Sequence, residues 1–80
     1  MPIKVKVNTA AVEKELIRRN LSQNMLAIKA GISSSYISQL ISGERYPSPQ
    51  TRQKLQKALQ PLTFDDIFII EDSESDSDGR

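Results

Sequence analysis

The chain has no cysteine and no histidine among its 80 residues. Without them there is no disulfide, no Cys/His zinc site, no thiol nucleophile and none of the commonest general base. The only glycines are Gly31, Gly43 and Gly79, too far apart to form a glycine-rich phosphate loop. Asp65 and Asp66 are adjacent rather than facing, which suits a helix N-terminus better than an acid–base pair. The expectation is therefore a non-enzyme with no catalytic residues, no metal and no cofactor. Long apolar runs are missing too: nothing approaches the roughly 20 residues of a membrane span. The opening Met1-Pro2-Ile3-Lys4-Val5 lacks the apolar block of a secretory signal, so the cytoplasm is the expected compartment.

A chain this short buries only about 60% of the surface its unfolded form exposes. With no covalent or metal staple, a compact helical core or dimerisation has to supply the stability. Charge is unevenly placed. Residues 1–70 hold ten basic and five acidic side chains, a net of +5, whereas residues 71–80 hold one basic and five acidic, a net of −4. A basic body suits a polyanionic partner, and an acidic, aromatic-free tail suits solvent.

Along the chain, Ile3, Val5 and Val7 alternate with Lys4 and Lys6, the period of a short half-buried strand. Asn8 and Thr9 offer N-caps to a helix over 9–19, with Val12, Leu16 and Ile17 on its apolar stripe and Glu13, Lys14, Arg18 and Arg19 facing out. Ser22 caps a second helix over 23–30 whose apolar face is Met25, Leu26, Ala27 and Ala30. Gly31 sits where a left-handed residue would end it. Ser33 caps a third helix running to about 41, with Ile37, Leu40 and Ile41 as core. After the loop 42–47, Ser48 and Pro49 open a fourth helix, with Leu55, Ala58 and Leu59 buried and Pro61 as the stop. Thr63 with Asp66 resembles a capping box for a last turn holding Phe64 and Ile67. Phe68, Ile69 and Ile70 are strand-like and are expected to pair with Ile3–Val7.

The spacing across 22–42 carries the functional reading. Two segments of eight or nine residues joined by a tight glycine-containing turn form a helix-turn-helix, whose second helix enters the major groove. Ala27 is small where the helices cross, Gly31 tolerates a positive φ, and Ile32, Ile37 and Leu40 fill the crevice beneath. The ordered string Leu21-Ser22-Gln23, Leu26-Ala27, Gly31-Ile32-Ser33, Tyr36-Ile37-Ser38-Gln39-Leu40, Gly43, Pro47-Ser48, Thr51, Lys54-Leu55 and Ala58-Leu59 resembles the Cro and phage-repressor family of helix-turn-helix regulators, over residues about 12–68.

That resemblance implies an all-α, lambda-repressor-like DNA-binding domain of four or five short helices, with short terminal strands. It also implies a transcriptional regulator, commonly a repressor, that binds double-stranded DNA at the nucleoid, usually as a homodimer. Carried over by position, Ser33, Ser34, Ser35 and Gln39 match base-facing sites, and an amide at Gln39 suits adenine. Gln23, Tyr36, Ser42, Arg45, Tyr46 and Arg52 match DNA-backbone contacts, with Tyr36 alternatively lying against a thymine methyl or covering the edge of the core. Arg18, Arg19, Lys54 and Lys57 are expected to be solvated helix faces.

Two departures stand out. Many members pair an arginine with a glutamate where this chain has Leu16 and Ile41, and the two aliphatics are expected to touch instead. The run of serines is short-armed and discriminates weakly between bases, so water and DNA shape should share the readout. By organisation, residues 1–8 read as a terminal strand, 9–71 as the DNA-binding domain and 72–80 as an acidic disordered tail, in which Ser73 and Ser75 lie among acids. That tail could instead lie over the basic face and weaken non-specific DNA binding. The same fold also serves DNA-binding antitoxins of toxin–antitoxin pairs and protein-bridging factors, for which residues 64–80 are the candidate partner-holding segment.

Overall fold

The computed structural model describes residues 3–72. Five helices and two strands follow in the order β1 (Ile3–Val7), α1 (Thr9–Arg19), α2 (Gln23–Ala30), α3 (Ser34–Ser42), α4 (Pro49–Ala58), α5 (Phe64–Ile67) and β2 (Phe68–Asp72). The strands form one antiparallel ribbon, with Ile3 opposite Asp72, Val5 opposite Ile70 and Val7 opposite Phe68. The expected terminal strand pair is therefore present. It extends to Asp72, a residue assigned on sequence to the tail; the rest of that tail, 73–80, lies outside the described residues.

Short polar side chains fix where the four longer helices begin. The amide N–H groups of the first turn have no helical acceptor, and here a side-chain oxygen takes one in each case. Asn8 Oδ1 accepts from Ala11 N at 3.2 Å, Ser22 Oγ from Met25 N at 3.1 Å, Ser33 Oγ from Tyr36 N at 3.1 Å and Ser48 Oγ from Thr51 N at 3.2 Å. Each such cap stabilises a helix by about 1 kcal/mol. Around the last turn, Asp66 Oδ2 accepts from both the backbone N–H and the hydroxyl of Thr63.

The ends are set by left-handed residues. Gly31 has φ +75° and Gly43 φ +88°, while α1 closes on Asn20 at φ +59°. Asparagine is among the few side-chain-bearing residues that visit this region. At Gly31 the chain turns sharply enough for Ile32 N to donate to Ala27 O at 2.9 Å. That geometry sets α3 at its angle to α2.

One core joins all the elements: Val7, Val12, Leu16, Leu26, Ala27, Ala30, Ile37, Leu40, Ile41, Leu55, Ala58, Leu59, Ile67 and Phe68 are buried. Leu16 and Ile41 both lie in it, on helices that pack against one another. Phe64 and Phe68 stack at a tilt with ring centroids 5.0 Å apart. Ile32 is half-buried against the core rather than sealed inside it.

Three side chains depart from their expected faces. Ile17 is 75% exposed and Met25 49% exposed. Each lies about 100° around its helix from the buried residue beside it in sequence, Leu16 or Leu26. The stripes are narrower than the apolar letters suggested. Arg19, expected to face out, instead crosses to the far end of α4. Its Nη2 donates to Leu59 O at 2.9 Å and Gln60 O at 2.7 Å, and its Nη1 to Ala58 O at 3.4 Å. Its Nε donates to Glu15 Oε2 at 2.7 Å. A guanidinium fork suits the carbonyls at a helix C-terminus, of which Leu59 O also accepts from Leu62 N at 3.0 Å.

Candidate nucleic-acid interface

The second helix of the pair, α3, has two unlike sides. Ile37, Leu40 and Ile41 are buried, while Ser34, Ser35, Ser38 and Ser42 are exposed and Gln39 is half-exposed. Ser33 is the N-cap, as expected, and the helix runs to Ser42, one residue past the expected end. Packing of α3 on α2 and of α1 on α3 holds this orientation. Thr9 of α1 adds a tie, its hydroxyl donating to Ile41 O.

Ser33, Ser35, Tyr36, Gln39 and Arg45 line one shallow open depression on the outer side of α3. Five of the ten residues singled out on sequence are thus brought together. Ser34 is exposed in the first turn of the same helix. The Ser33 hydroxyl oxygen is engaged by the cap bond but keeps its proton to donate. Gln39 is anchored through its backbone, because its carbonyl accepts from Ser42 Oγ at 3.1 Å, Glu44 N at 2.9 Å and Arg45 N at 3.2 Å. Its amide is not used in that anchor. Ser42 serves the end of its own helix by the same bond.

Gln23 is half-buried in the first turn of α2, and Arg52 half-buried in the first turn of α4. Both helix starts are electropositive, because free N–H groups and the helix dipole favour an anion. Tyr36 is half-buried against the core, with its hydroxyl 3.3 Å from Thr51 Oγ1. It thus covers the core edge and also lines the depression. Tyr46 lies against the terminal ribbon rather than beside α3. Its hydroxyl donates to Glu71 Oε1 at 3.3 Å, and Lys4 Nζ sits 5.2 Å from its ring centroid.

The ion pairs lie away from α3. Among the described residues they are Lys6–Glu71 on the ribbon and Arg18–Glu15 and Arg19–Glu15 on α1. Glu15 is held below the usual carboxylate range first by the side-chain hydrogen bond from Arg19, and Glu71 by that from Lys6. Arg45 and Arg52 form no ion pair among the described residues. Among the same residues no group of His, Cys, Asp and Glu is arranged to hold a metal ion, and no helix is long and apolar enough to cross a membrane.

Thr51 belongs to the string that resembles the family, with no role attached to it. It is 6% exposed, the one polar side chain among the described residues buried with the core. Its spacing three residues after the Ser48 cap was the available signal. Of residues 64–80, the segment expected to hold a protein partner, Ile67 and Phe68 are buried in the core and 68–72 form β2. The described part of that segment thus belongs to the fold.

A protein-family model described as helix-turn-helix matches residues 12–67. No curated protein and no solved structure matches the chain.

Proposed function

The chain belongs to the Cro/C1-type helix-turn-helix family of DNA-binding transcription regulators, and from that membership we propose that it is a sequence-specific repressor that lays α3 in the major groove of duplex DNA. The observation that carries the reading is the open depression on α3, where Ser33, Ser35, Tyr36, Gln39 and Arg45 meet on the side away from the core. In this reading Ser33, Ser34, Ser35 and Gln39 address base edges, with Gln39 able to pair bidentately with adenine. Gln23 and Arg52 grip phosphates from the starts of α2 and α4, where backbone N–H groups add to the attraction. Tyr36, Ser42 and Arg45 touch the flanking backbone. Tyr46 is the remaining backbone candidate, its hydroxyl being shared with Glu71.

Short serines bring the α3 backbone close to the bases but give little discrimination. Specificity therefore leans on Gln39, bridging water and the deformability of the site. One such domain reads few base pairs, so the working unit is a homodimer on half-sites about 34–36 Å apart, one turn of the duplex. The terminal ribbon is the proposed seam. Both its strands have an open edge with unpaired backbone groups, and Ile3 and Ile70, at 61% and 56% exposure, extend its apolar face beyond the core.

The test is selection of bound sequences from a random duplex pool, followed by a salt titration on the recovered site. A palindromic consensus is expected. With about five phosphates neutralised per subunit, log K should fall against log salt with a slope near −4 to −5 per subunit. No enrichment, together with binding indifferent to salt, would overturn the proposal.

A further inference from the structure

Three hydroxyls form a chain from the start of α4 to the outer side of α3, and their protons can be counted. Ser48 Oγ accepts from Thr51 N at 3.2 Å and donates to Thr51 Oγ1 at 3.1 Å. Thr51 Oγ1 therefore receives one proton and has its own to give. Its other hydrogen-bond neighbour among the described residues is the Tyr36 hydroxyl, 3.3 Å away. Thr51 is too deeply buried for water to compete freely. A buried hydroxyl proton without an acceptor is costly, so the Thr51 proton goes to the Tyr36 oxygen. The phenolic proton is then left with no acceptor among the described residues, on a side chain that lines the α3 depression beside Ser33, Ser35, Gln39 and Arg45.

We infer that Thr51 is a positioning residue for DNA binding: the relay Ser48→Thr51→Tyr36 turns the Tyr36 hydroxyl into an outward-pointing donor aimed at a DNA phosphate oxygen. The inference rests on the DNA-binding reading above and specifies how one contact in it is made. A phosphate oxygen is an acceptor with no proton of its own, so a phenol fixed as donor suits it, whereas a freely rotating one is correct only part of the time. The relay also locks α3 to the first turn of α4, so the two elements that meet the same stretch of backbone move together.

The experiment measures affinity for the selected duplex by fluorescence anisotropy, with wild type, Tyr36→Phe, Thr51→Val, the double variant and Thr51→Ser, each checked by thermal melting. Tyr36→Phe should weaken binding about tenfold per subunit, the scale of one hydrogen bond to a charged acceptor. Its salt slope should be unchanged, because no cation is lost. Thr51→Val should weaken binding to a similar degree, and adding it to Tyr36→Phe should cost nothing further. Thr51→Ser should stay within twofold of wild type. Tyr36→Phe binding as tightly as wild type would overturn the inference, as would losses that multiply in the double variant. If Thr51→Val melts below the assay temperature, Thr51→Ala takes its place in the cycle, and binding by Thr51→Ala as tight as wild type would overturn the inference. Failure of wild type to bind any duplex would instead sink the DNA-binding reading itself.

Discussion

Replacing Arg19 by alanine should lower the melting temperature by about 8–16 °C. The guanidinium makes two short bonds to carbonyls past the end of α4, to Leu59 O at 2.9 Å and Gln60 O at 2.7 Å, and a long, weak one to Ala58 O. A net value of about 1 kcal/mol for each short bond gives about 2 kcal/mol. Leu59 O keeps its bond from Leu62 N at 3.0 Å and Gln60 is exposed, so its carbonyl can be rehydrated; no further penalty for buried unsatisfied groups is added. For a domain of this size each kcal/mol moves the midpoint by about 4–8 °C. Arg19→Lys should recover less than half of the loss, since one ammonium cannot present the planar fork that reaches Glu15 and the α4 end together. Differential scanning calorimetry at pH 7 is the assay, and duplex affinity well below the melting point should be unchanged. A melting point for Arg19→Ala within 2 °C of wild type would refute the idea that this residue clamps α1 to α4.

Four further outcomes follow from the same structure. Gly31→Ala should cost about 1 kcal/mol in denaturant titrations, because a Cβ there meets nothing within 4 Å and the whole penalty is that of a left-handed residue with a side chain. Stability should be flat from pH 8 to 5 and fall below about pH 4.5. The folded-state pKa values of Glu15, Asp66 and Glu71 lie below their ordinary ones, chiefly through hydrogen bonds from Arg19, the Thr63 N–H and Lys6 respectively. Their contribution is present above the unfolded pKa and is lost as pH falls through the folded one, so melting curves for Glu15→Gln, Asp66→Asn and Glu71→Gln combined should show a shallower acid limb. In sequence selection, Gln39→Ala should relax preference at one base position, whereas Arg52→Ala should weaken all sequences alike and reduce the salt slope by about 1. Removing residues 73–80, and not 71–72, which belong to β2, should tighten non-specific DNA binding at low salt if the acidic segment competes for the basic face; equal affinity would dismiss that competition.

Local signals made most of the fold legible. Ser22, Ser33 and Ser48 each stand one residue before an apolar-periodic segment, and each is an N-cap. Gly31 ended α2 as its position implied, and the alternation of Ile3–Val7 together with the strand-like run Phe68–Ile70 suggested the ribbon. What periodicity could not give was the width of each buried stripe. Ile17 and Met25 have core-type side chains at positions where no neighbouring element arrives to cover them. Arg19 was read as solvated because its partners, the carbonyls at the end of α4, are some 40 residues away and invisible to local pattern. For the site, the helix-turn-helix spacing located the depression, since five of its candidate residues converge there. Tyr46 and Thr51 were harder to place, because their surroundings are made by contacts between elements: Tyr46 with the ribbon, Thr51 with Tyr36.

The central claim is that the polar side of α3 meets the bases while the starts of α2 and α4 hold the backbone. Amide chemical shifts of the isotope-labelled protein, followed by nuclear magnetic resonance as the selected duplex is added, test it most directly. The largest changes should fall on Gln23, on Ser33 to Gln39 and on Ser48 to Arg52, with the exposed face of α1 silent. Changes confined to α1 or to the terminal ribbon, with Ser33 to Gln39 unmoved, would contradict it.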